Sequence, residues 1–341
     1  MLLSVLPALL LATATGSVER VSVVPGTEQD DAFGVAFDKS GNMFVVDMEA
    51  HRISVIGKDG TRRVVAGNGQ PGFSGDDGPA ALATLRQPHH ILTAPDGSIY
   101  VADTNNNCVR RIDVRTGVIT RVAGTGTKGF SGDGGQALAA EFAGIYALAL
   151  HGRVLYICDL GNRRVRAVNL KTGIVTTVAG NGQNGVPRDG ADARTQPLVD
   201  PRAIAVDSKG RLYICERGGH ALRVVDRDGK IRTVAGTGDP GFSGDGGPAL
   251  QARFSGPKHI EVDADDSVLI VDTENHTVRR FVPKDGSLRR VIGTGEVGAA
   301  LVATDPLQCQ LKRPHGVLLQ PKTRRLYVSD SENHRVLRLD R

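Results

Sequence analysis

Six side chains that could bind a ligand stand at related points of this 341-residue chain. They are His89, His90, Arg202, Lys258, His259 and His315. Imidazole nitrogens ligate metal ions, whereas guanidinium and ammonium groups bind carboxylate, phosphate or sulfate. Prolines directly precede His89 and His315, as Pro88 and Pro314. The six residues form a candidate ligand-binding site, and His89 and His315 are its candidate metal ligands.

The elements that must position these side chains are copies of one repeat. The segment Ile99–Asp113, IYVADTNNNCVRRID, has an apolar run, an acidic residue, a polar turn and a second run with arginines. Similar segments occur six times, and their acidic anchors are 56 to 58 residues apart. The anchors are Asp47, Asp103, Asp159, Glu216, Asp272 and Asp330. A period of this length indicates a repeat architecture.

Each repeat reads as four short strands, which we call a, b, c and d. In the second repeat we predict them at 90–93, 98–103, 108–113 and 118–123, with Asp-Gly and Lys-Gly pairs in the turns. Six units without helical periodicity predict an all-β fold, a six-bladed β-propeller of four-stranded antiparallel blades over residues 17–341. The last repeat stops after strand c, and VERVSVVPGT near the N terminus resembles VITRVAGTGT. We therefore expect an N-terminal strand in 17–27 to complete the sixth blade and close the ring.

Composition limits the partners. The net charge is +5, but the arginines are spread through every repeat, so we interpret most of them as solvated strand faces. Tryptophan is absent and aromatic residues make up 4% of the chain, so surfaces that stack on bases are scarce. We expect a monomer that does not bind nucleic acid.

The first residues, MLLSVLPALLLATAT, have the length and apolar character of a secretory signal, with a small-residue cleavage pattern at Ala12-Thr13-Ala14. We predict a signal peptide at 1–14 and an exported protein, periplasmic or extracellular. No later stretch is long and apolar enough to cross a membrane, so no span remains after cleavage.

The strand order places the start of strand a, the end of strand b, the b–c turn and the long d–a loop on one face, which we call the upper face. Because the acidic anchors occur in every blade, we interpret them as turn formers that accept backbone N–H bonds from the b–c turn, with a metal or acid-base role as the alternative. The FSGDGG loops around Asp76, Asp133 and Asp245 are expected to turn the chain and cap a short helix. Partner contact and calcium binding are their alternatives.

Four cysteines show no metal-finger spacing. Cys158 and Cys215 occupy the same place in adjacent repeats, where we expect buried small side chains. A bridge between them, or between Cys108 and Cys309, stays open.

The repeats resemble NHL repeats, through LYVSDSENHRVLRL, IYVADTNNNCVRRI and LIVDTENHTVRRF and the pairs Asn275-His276 and Asn333-His334. The resemblance covers residues 32–341. The loops VAGTGTKGFSGDGGQA and VAGTGDPGFSGDGGPA resemble those of exported bacterial members. Such propellers serve as binding platforms, sensor domains and RNA readers and, in some relatives, as enzymes, so the resemblance implies the fold and leaves the function open.

Residues at the start of strand a differ between the copies, so the blade does not dictate them. They are Phe33, His89, Gly144, Arg202, Lys258 and His315, with His90 and His259 one position further in. In the peptidyl-hydroxyglycine amidating lyases, which are similar propellers, zinc histidines follow such prolines, which implies His89 and His315 as ligands here. The third position carries Arg202, whose charge opposes Zn²⁺ binding. The pocket therefore favours an anion, with partly protonated histidines, while channel-lining residues bonded to water and carbonyls are the plainer alternative.

We predict an exported, non-catalytic propeller without a cofactor that binds a protein, peptide or glycan on its upper face, with a small anion in the channel. The alternative is a metal-assisted lyase or hydrolase, using Zn²⁺ or Ca²⁺, that acts on a small anionic substrate in the channel.

Overall fold

The computed structural model describes residues 20–28 and 32–340. In this part of the chain, six small antiparallel sheets form the blades of a β-propeller. The first strands of consecutive blades contact each other, and the first strand of blade 6 contacts that of blade 1, so the ring is closed. The predicted fold is confirmed. The predicted signal peptide at 1–14 lies outside the described residues.

The first strand along the described chain is β1 (Arg20–Val23), and the blades follow in chain order. Blade 1 contains β2 (Ala32–Phe37), β3 (Met43–Asp47), β4 (Arg52–Ile56) and β5 (Arg62–Ala66). Blade 2 contains the short β6 (Gly78–Pro79), then β7 (His90–Thr93), β8 (Ile99–Asp103), β9 (Cys108–Asp113) and β10 (Val118–Ala123). Blade 3 contains β11 (Ile145–His151), β12 (Val154–Asp159), β13 (Arg164–Asn169) and β14 (Val175–Ala179).

The second half of the ring repeats this plan. Blade 4 contains the short β15 (Ala191–Asp192), then β16 (Pro201–Val206), β17 (Leu212–Glu216), β18 (Ala221–Val225) and β19 (Lys230–Ala235). Blade 5 contains β20 (His259–Val262), β21 (Val268–Asp272), β22 (Thr277–Val282) and β23 (Ser287–Ile292). Blade 6 contains β24 (Gly316–Leu319), β25 (Leu326–Asp330) and β26 (Arg335–Asp340).

The N-terminal strand supplies the fourth strand of blade 6. Strand β1 pairs antiparallel with β26, with Val21 opposite Leu339 and Val23 opposite Leu337. The last and first parts of the chain therefore share one sheet, as the sequence predicts.

Helical structure in the described ranges is confined to single 3-10 turns. One set follows strand b, at Thr104–Asn106, Leu160–Asn162, Thr273–Asn275 and Ser331–Asn333. The other set lies in the d–a loops, at Ala80–Leu82, Ala137–Ala139, Ala193–Thr195, Ala249–Gln251 and Pro306–Gln308. Within the described ranges, no helix has both the length and the apolar character needed to cross a bilayer.

The core lies between the blades, because each sheet packs both of its faces on neighbouring sheets. Strands β3, β8, β17, β21 and β25 are therefore buried at every residue. This position explains why strand b reads as an unbroken apolar run in most repeats.

The acidic anchors join the loop before strand a to the b–c turn. The carboxylate of Asp103 accepts the backbone N–H of Arg86 at 2.8 Å and the side-chain amide of Asn106 at 2.9 Å. Asp272 accepts corresponding bonds from Ser255 and Asn275. The expected backbone donor in the b–c turn is found at Asp47, which accepts from Ala50 N–H. At Asp103 and Asp272 the backbone donor lies in the loop before strand a, so the expectation of a donor in the b–c turn was wrong there.

The aspartates of the FSGDGG loops bind buried arginines rather than capping a helix. Arg166 has no exposed side-chain surface, and its Nη2 lies 2.8 Å from Oδ1 of Asp133. Pro79 and Pro248 precede the short helices and provide no side-chain cap. The interpretation of most arginines as solvated was wrong for Arg110, Arg166 and Arg279 of strand c, which are fully buried.

All four cysteines are buried free thiols. Cys158 donates its S–H to the carbonyl oxygen of Pro201 at 2.8 Å. Both cysteines at the repeated position therefore act as small buried side chains, and neither candidate bridge is formed.

Candidate functional site

One side chain from each blade forms a ring around the upper end of the central channel. The ring consists of Phe33, His89, Tyr146, Arg202, Lys258 and His315. The centroid of the Phe33 phenyl group lies 5.4 Å from that of the His89 imidazole and 4.4 Å from that of the His315 imidazole. The His89 and Tyr146 ring centroids are 4.5 Å apart. We call this ring the mouth.

The third blade contributes Tyr146 to the mouth, not Gly144. In blade 3 the paired residues skip Tyr146, because Ile145 faces Asp159 and Ala147 faces Cys158. Blade 4 has the same irregularity around Arg202, so Tyr146 and Arg202 are structurally equivalent. Such a bulge redirects one side chain away from the ladder. The a–b turn of blade 3, Gly152-Arg153, is shorter than that of blade 4, so the two residues do not align by their distance from the acidic anchor.

Arg202 is the dominant charge of the mouth. Its side chain lies over the ring of Tyr146, with Cζ 4.0 Å from the ring centroid. The residue is 7% exposed. The carboxylate of Asp200, whose charge acts on Arg202, pairs with Arg217 at 2.7 Å. Within the described ranges Arg202 itself forms no ion pair. Burial is the main cause that lowers its pKa, to about 10, so the group stays cationic at neutral pH.

Lys258 is compensated, unlike Arg202. Its ammonium lies 3.2 Å from Oε1 of Glu274 and 3.1 Å from Nε2 of His315. Glu274 also pairs with Arg313 at 2.8 Å. Because an ammonium only donates, Nε2 of His315 must accept, and its proton resides on Nδ1. The mouth therefore contains one cation without a carboxylate partner among the described residues, which is Arg202.

The histidines of the mouth are neutral. Burial, followed by the charge of Arg202, lowers the pKa of His89 to about 3. Burial, followed by the charge of Lys258, lowers the pKa of His315 to about 2. The expectation of partly protonated histidines was therefore wrong at these two positions, since protein atoms displace the water that would stabilise an imidazolium.

The geometry does not bring His89 and His315 together as metal ligands. The ring of Phe33 contacts both imidazoles, and the ammonium of Lys258 occupies the lone pair of His315 Nε2. Nδ1 of His89 donates to the carbonyl oxygen of Gln87 at 2.9 Å. Across residues 20–28 and 32–340, no group of three or more His, Cys, Asp or Glu side chains is arranged to hold a metal ion.

A second layer lies one residue further along the a strands. His90 and His259 come from opposite blades, and their Nε2 atoms are 3.1 Å apart. The corresponding residues Ala147 and Ala203 are small, which leaves room for the two rings. Burial lowers the pKa of His90 to about 4 and that of His259 well below its usual value. The two imidazoles are therefore neutral as well.

Below this pair the channel widens into a cavity of about 290 Å³, which we call the lower chamber. His90 and His259 line it together with Glu261 and aliphatic side chains that include Leu150 and Leu318. Burial raises the pKa of Glu261 to about 8, against a lowering by Arg324. Most side chains that line the chamber are aliphatic, and its polar ones are His90, Thr93, His259 and Glu261. The two histidines and Glu261 carry little charge at neutral pH.

Tyr146, Glu274 and Glu261 were missed by the sequence reasoning. Glu274 lies in the b–c turn, which the repeat pattern assigns to the scaffold. Glu261 follows His259 by two positions on β20, so period-2 alternation could have placed both on one side of the strand.

A family model described as "NHL repeat" matches residues 85–112. NHL repeat-containing protein 2 of Gallus gallus is 28% identical over 337 residues, which cover 90% of this chain and 46% of the relative. NHL repeat-containing protein 2 of Homo sapiens is 24% identical, over 87% of this chain and 44% of the relative. The chain therefore spans about half the length of the curated relatives it matches.

Solved structures share the fold at low identity. An auxiliary nutrient binding protein from Bacteroides thetaiotaomicron matches with a TM-score of 0.67 and 16% identity, over 94% of this chain and 76% of that one. Virginiamycin B lyase from Staphylococcus aureus matches with a TM-score of 0.58 and 15% identity, over 95% and 99% of the two chains. Six four-stranded blades around one channel define the class of six-bladed β-propellers. The matched repeat at 85–112 and the similarity to NHL repeat-containing protein 2 support an NHL-repeat propeller of that class.

Proposed function

We propose that this protein is a non-catalytic binding propeller whose upper face takes an acidic peptide segment of a partner protein. The observation that carries the proposal is Arg202. It is a buried cation at the mouth, stacked on Tyr146, with no carboxylate partner among the described residues. A buried charge is costly unless it is paired, so a carboxylate supplied by a ligand would relieve that cost.

The other charges of the mouth support an anion of low charge. Lys258 is already paired with Glu274, and Arg313 with Glu274 and Glu332. A single aspartate or glutamate side chain, or a terminal carboxylate, therefore matches the excess charge. Its planar oxygens suit a guanidinium, which can donate two parallel hydrogen bonds.

Apolar side chains on the d–a loops would contact the rest of such a segment. Phe73, Phe130 and Phe242 recur in the FSGDGG loops, and each leaves about two fifths of its surface exposed. Exposed aromatic residues are enriched where proteins bind each other. A binding role also agrees with the description of the Bacteroides thetaiotaomicron structure as an auxiliary nutrient binding protein.

The test is the fluorescence anisotropy of a labelled peptide of alternating Gly and Glu, compared with its Gln counterpart. We expect the acidic peptide to bind, and Arg202→Gln to weaken binding at least tenfold. The matched control is Arg232→Gln, which removes the same charge from an exposed residue that pairs with Asp226 at 3.0 Å. Equal affinity for both peptides, or unchanged affinity in Arg202→Gln, would contradict the proposal. Stoichiometric zinc that disappears in a His89→Ala, His315→Ala variant would favour a metal-assisted enzyme instead.

We also propose that the protein is exported. The apolar leader at 1–14 and its small-residue cleavage pattern support export. N-terminal sequencing of the protein from its native cells should give a start near Thr15. Full-length protein that begins at Met1 in the cytoplasm would reject this location.

A further inference from the structure

The histidine pair in the second layer has its protons fixed by the backbone. The backbone N–H of Leu148 donates to Nδ1 of His90 at 3.3 Å, and that of Val317 donates to Nδ1 of His259 at 3.2 Å. A ring nitrogen that accepts a hydrogen bond cannot carry the proton of a neutral imidazole. Both rings must therefore carry their hydrogen on Nε2.

This tautomer leaves two donors facing each other. The Nε2 atoms of His90 and His259 are 3.1 Å apart, a hydrogen-bond distance, but neither can accept from the other. Both N–H groups therefore need an acceptor from outside the pair, and one atom that accepts from both would satisfy them. An unsatisfied buried donor costs about 1–3 kcal/mol. Both rings line the lower chamber, so an acceptor can approach them from that side.

The surroundings favour a singly charged oxygen acceptor. Arg202 is close enough to lower the pKa of both histidines, so its charge also reaches an anion bound beside them. No lysine or arginine lines the chamber, so no cation there would balance a dianion such as phosphate. Hydrogen bonds from N–H groups to a carboxylate are stronger than those to a neutral oxygen.

The walls below the pair favour an apolar chain on that acceptor. Leu92, Leu150, Val206 and Leu318 line the chamber, whose volume is about 290 Å³. That volume corresponds to the liquid volume of about ten water molecules. Apolar walls gain stability when a hydrocarbon chain replaces this water.

We propose that the lower chamber binds a small aliphatic monocarboxylate, whose carboxylate accepts hydrogen bonds from Nε2–H of His90 and His259 and whose chain packs on the aliphatic wall. This site lies on the opposite side of the histidine pair from the mouth. The inference does not depend on peptide binding at the upper face.

The first test concerns the tautomers in the full protein. Long-range ¹H–¹⁵N spectra of the imidazoles should show His90 and His259 with the proton on Nε2, and His89 and His315 with the proton on Nδ1. Titration with hexanoate should shift the Nε2 signals of His90 and His259. A proton on Nδ1 of either ring of the pair would overturn the proposal.

The second test is calorimetric titration with hexanoate. We expect one site in the wild type and at least tenfold weaker binding in His90→Asn, His259→Asn. Asparagine keeps an oxygen where Nδ1 accepts the backbone N–H and removes the Nε2 donor. His151→Asn is the matched control, because His151 is exposed at the lower end of β11. Equal affinity in the double variant and the wild type would overturn the proposal, as would the absence of any hexanoate binding.

A steric variant covers the case in which the double variant does not fold. Ala149 lines the chamber, and Ala149→Phe would fill the space of the chain without touching the donors. Hexanoate binding should be lost, whereas the acidic peptide should bind at the mouth as before. Hexanoate binding that survives in Ala149→Phe would place the ligand elsewhere. Peptide binding by Arg202→Gln is measured independently of hexanoate binding, so either proposal can fail without the other.

Discussion

Arg279 and Asp245 form an ion pair that joins blade 5 to the loop leaving blade 4. Nη2 of Arg279 lies 2.8 Å from Oδ1 of Asp245, and Nε donates to the same oxygen at 2.9 Å. Nη1 also lies 3.3 Å from the anchor Asp272. The guanidinium is fully buried, and its Cζ lies 5.5 Å from the ring centroid of Phe242 and 5.0 Å from that of Phe254. The FSGDGG loop therefore supplies one of the two carboxylates that compensate the buried charge of Arg279.

The Asp245→Asn variant should lower the free energy of unfolding by about 1–3 kcal/mol. The change leaves Arg279 buried with a neutral partner, while Asp272 still compensates part of its charge. Urea unfolding at neutral pH measures the effect. Asp239→Asn is the control, since Asp239 is exposed and lies 3.8 Å from Arg253. It should change the stability by less than about 0.5 kcal/mol, and equal effects of the two variants would contradict a role for the buried pair.

The four cysteines should not react with a thiol reagent in the folded protein. Each thiol is buried, and burial raises the pKa of Cys108, Cys158, Cys215 and Cys309. Both conditions suppress the reactive thiolate. Titration with Ellman's reagent should give no fast reaction in buffer and four thiols in denaturant, without prior reduction. Fewer than four thiols in denaturant would reveal a disulfide.

The strands could be read from the sequence because local patterns determine them. The predicted strands at 90–93, 108–113 and 118–123 agree with β7, β9 and β10, and the N-terminal strand pairs where expected. The burial of Arg279 could not be read locally. Its compensation comes from Asp245, 34 residues earlier, through a contact between blades.

The candidate site was predicted in part. Arg202, Lys258 and His315 lie in the mouth, because their distance from the acidic anchor places them at the start of strand a. Tyr146 was missed because the shorter a–b turn of blade 3 places it 13 residues before its acidic anchor Asp159, whereas Arg202 precedes Glu216 by 14. The tautomer of His90 depends on the backbone N–H of Leu148 in the next blade, which no sequence pattern reports.

The Glu261→Gln variant should gain stability relative to the wild type as the pH rises from about 5 to 8. Burial raises the pKa of Glu261 from 4.5 to about 8, while Arg324 lowers it and Asp263 raises it. The folded state therefore holds a proton that the unfolded state has lost, so the contribution present below pH 4.5 disappears as the pH rises through 8. One pKa unit corresponds to about 1.4 kcal/mol, so the relative gain should be of the order of a few kcal/mol. Urea unfolding across this range measures it, and a constant difference between the two proteins would contradict the prediction.

Acid should destabilise the protein through its buried histidines. Burial, followed by like charge, lowers the pKa of His90 to about 4 and that of His259 well below its usual value. The unfolded chain binds protons near pH 6.5 while these rings stay neutral, so their contribution is full above 6.5 and falls as the pH drops. The His90→Asn, His259→Asn variant should lose less stability than the wild type between pH 7 and 4.5. The slope should not vanish, because His89 and His315 act in the same direction.

Closure of the ring by β1 should be essential to the stability of blade 6. Val21 is 3% exposed, lies opposite Leu339 and packs in a cluster with Leu326, Val328 and Leu337. Val21→Asp would place an unpaired carboxylate among these side chains, so we expect a loss of about 3 kcal/mol or more.

The matched control for this variant is Ser22→Asp, one residue further along the same strand. Ser22 is partly exposed and lies opposite Arg338, so a carboxylate there stays hydrated beside a cation. Its effect should stay within about 0.5 kcal/mol. Urea unfolding compares the two variants. If Val21→Asp unfolded like the control, β1 would contribute little to closure, and the pairing of β24, β25 and β26 would have to hold blade 6 without it.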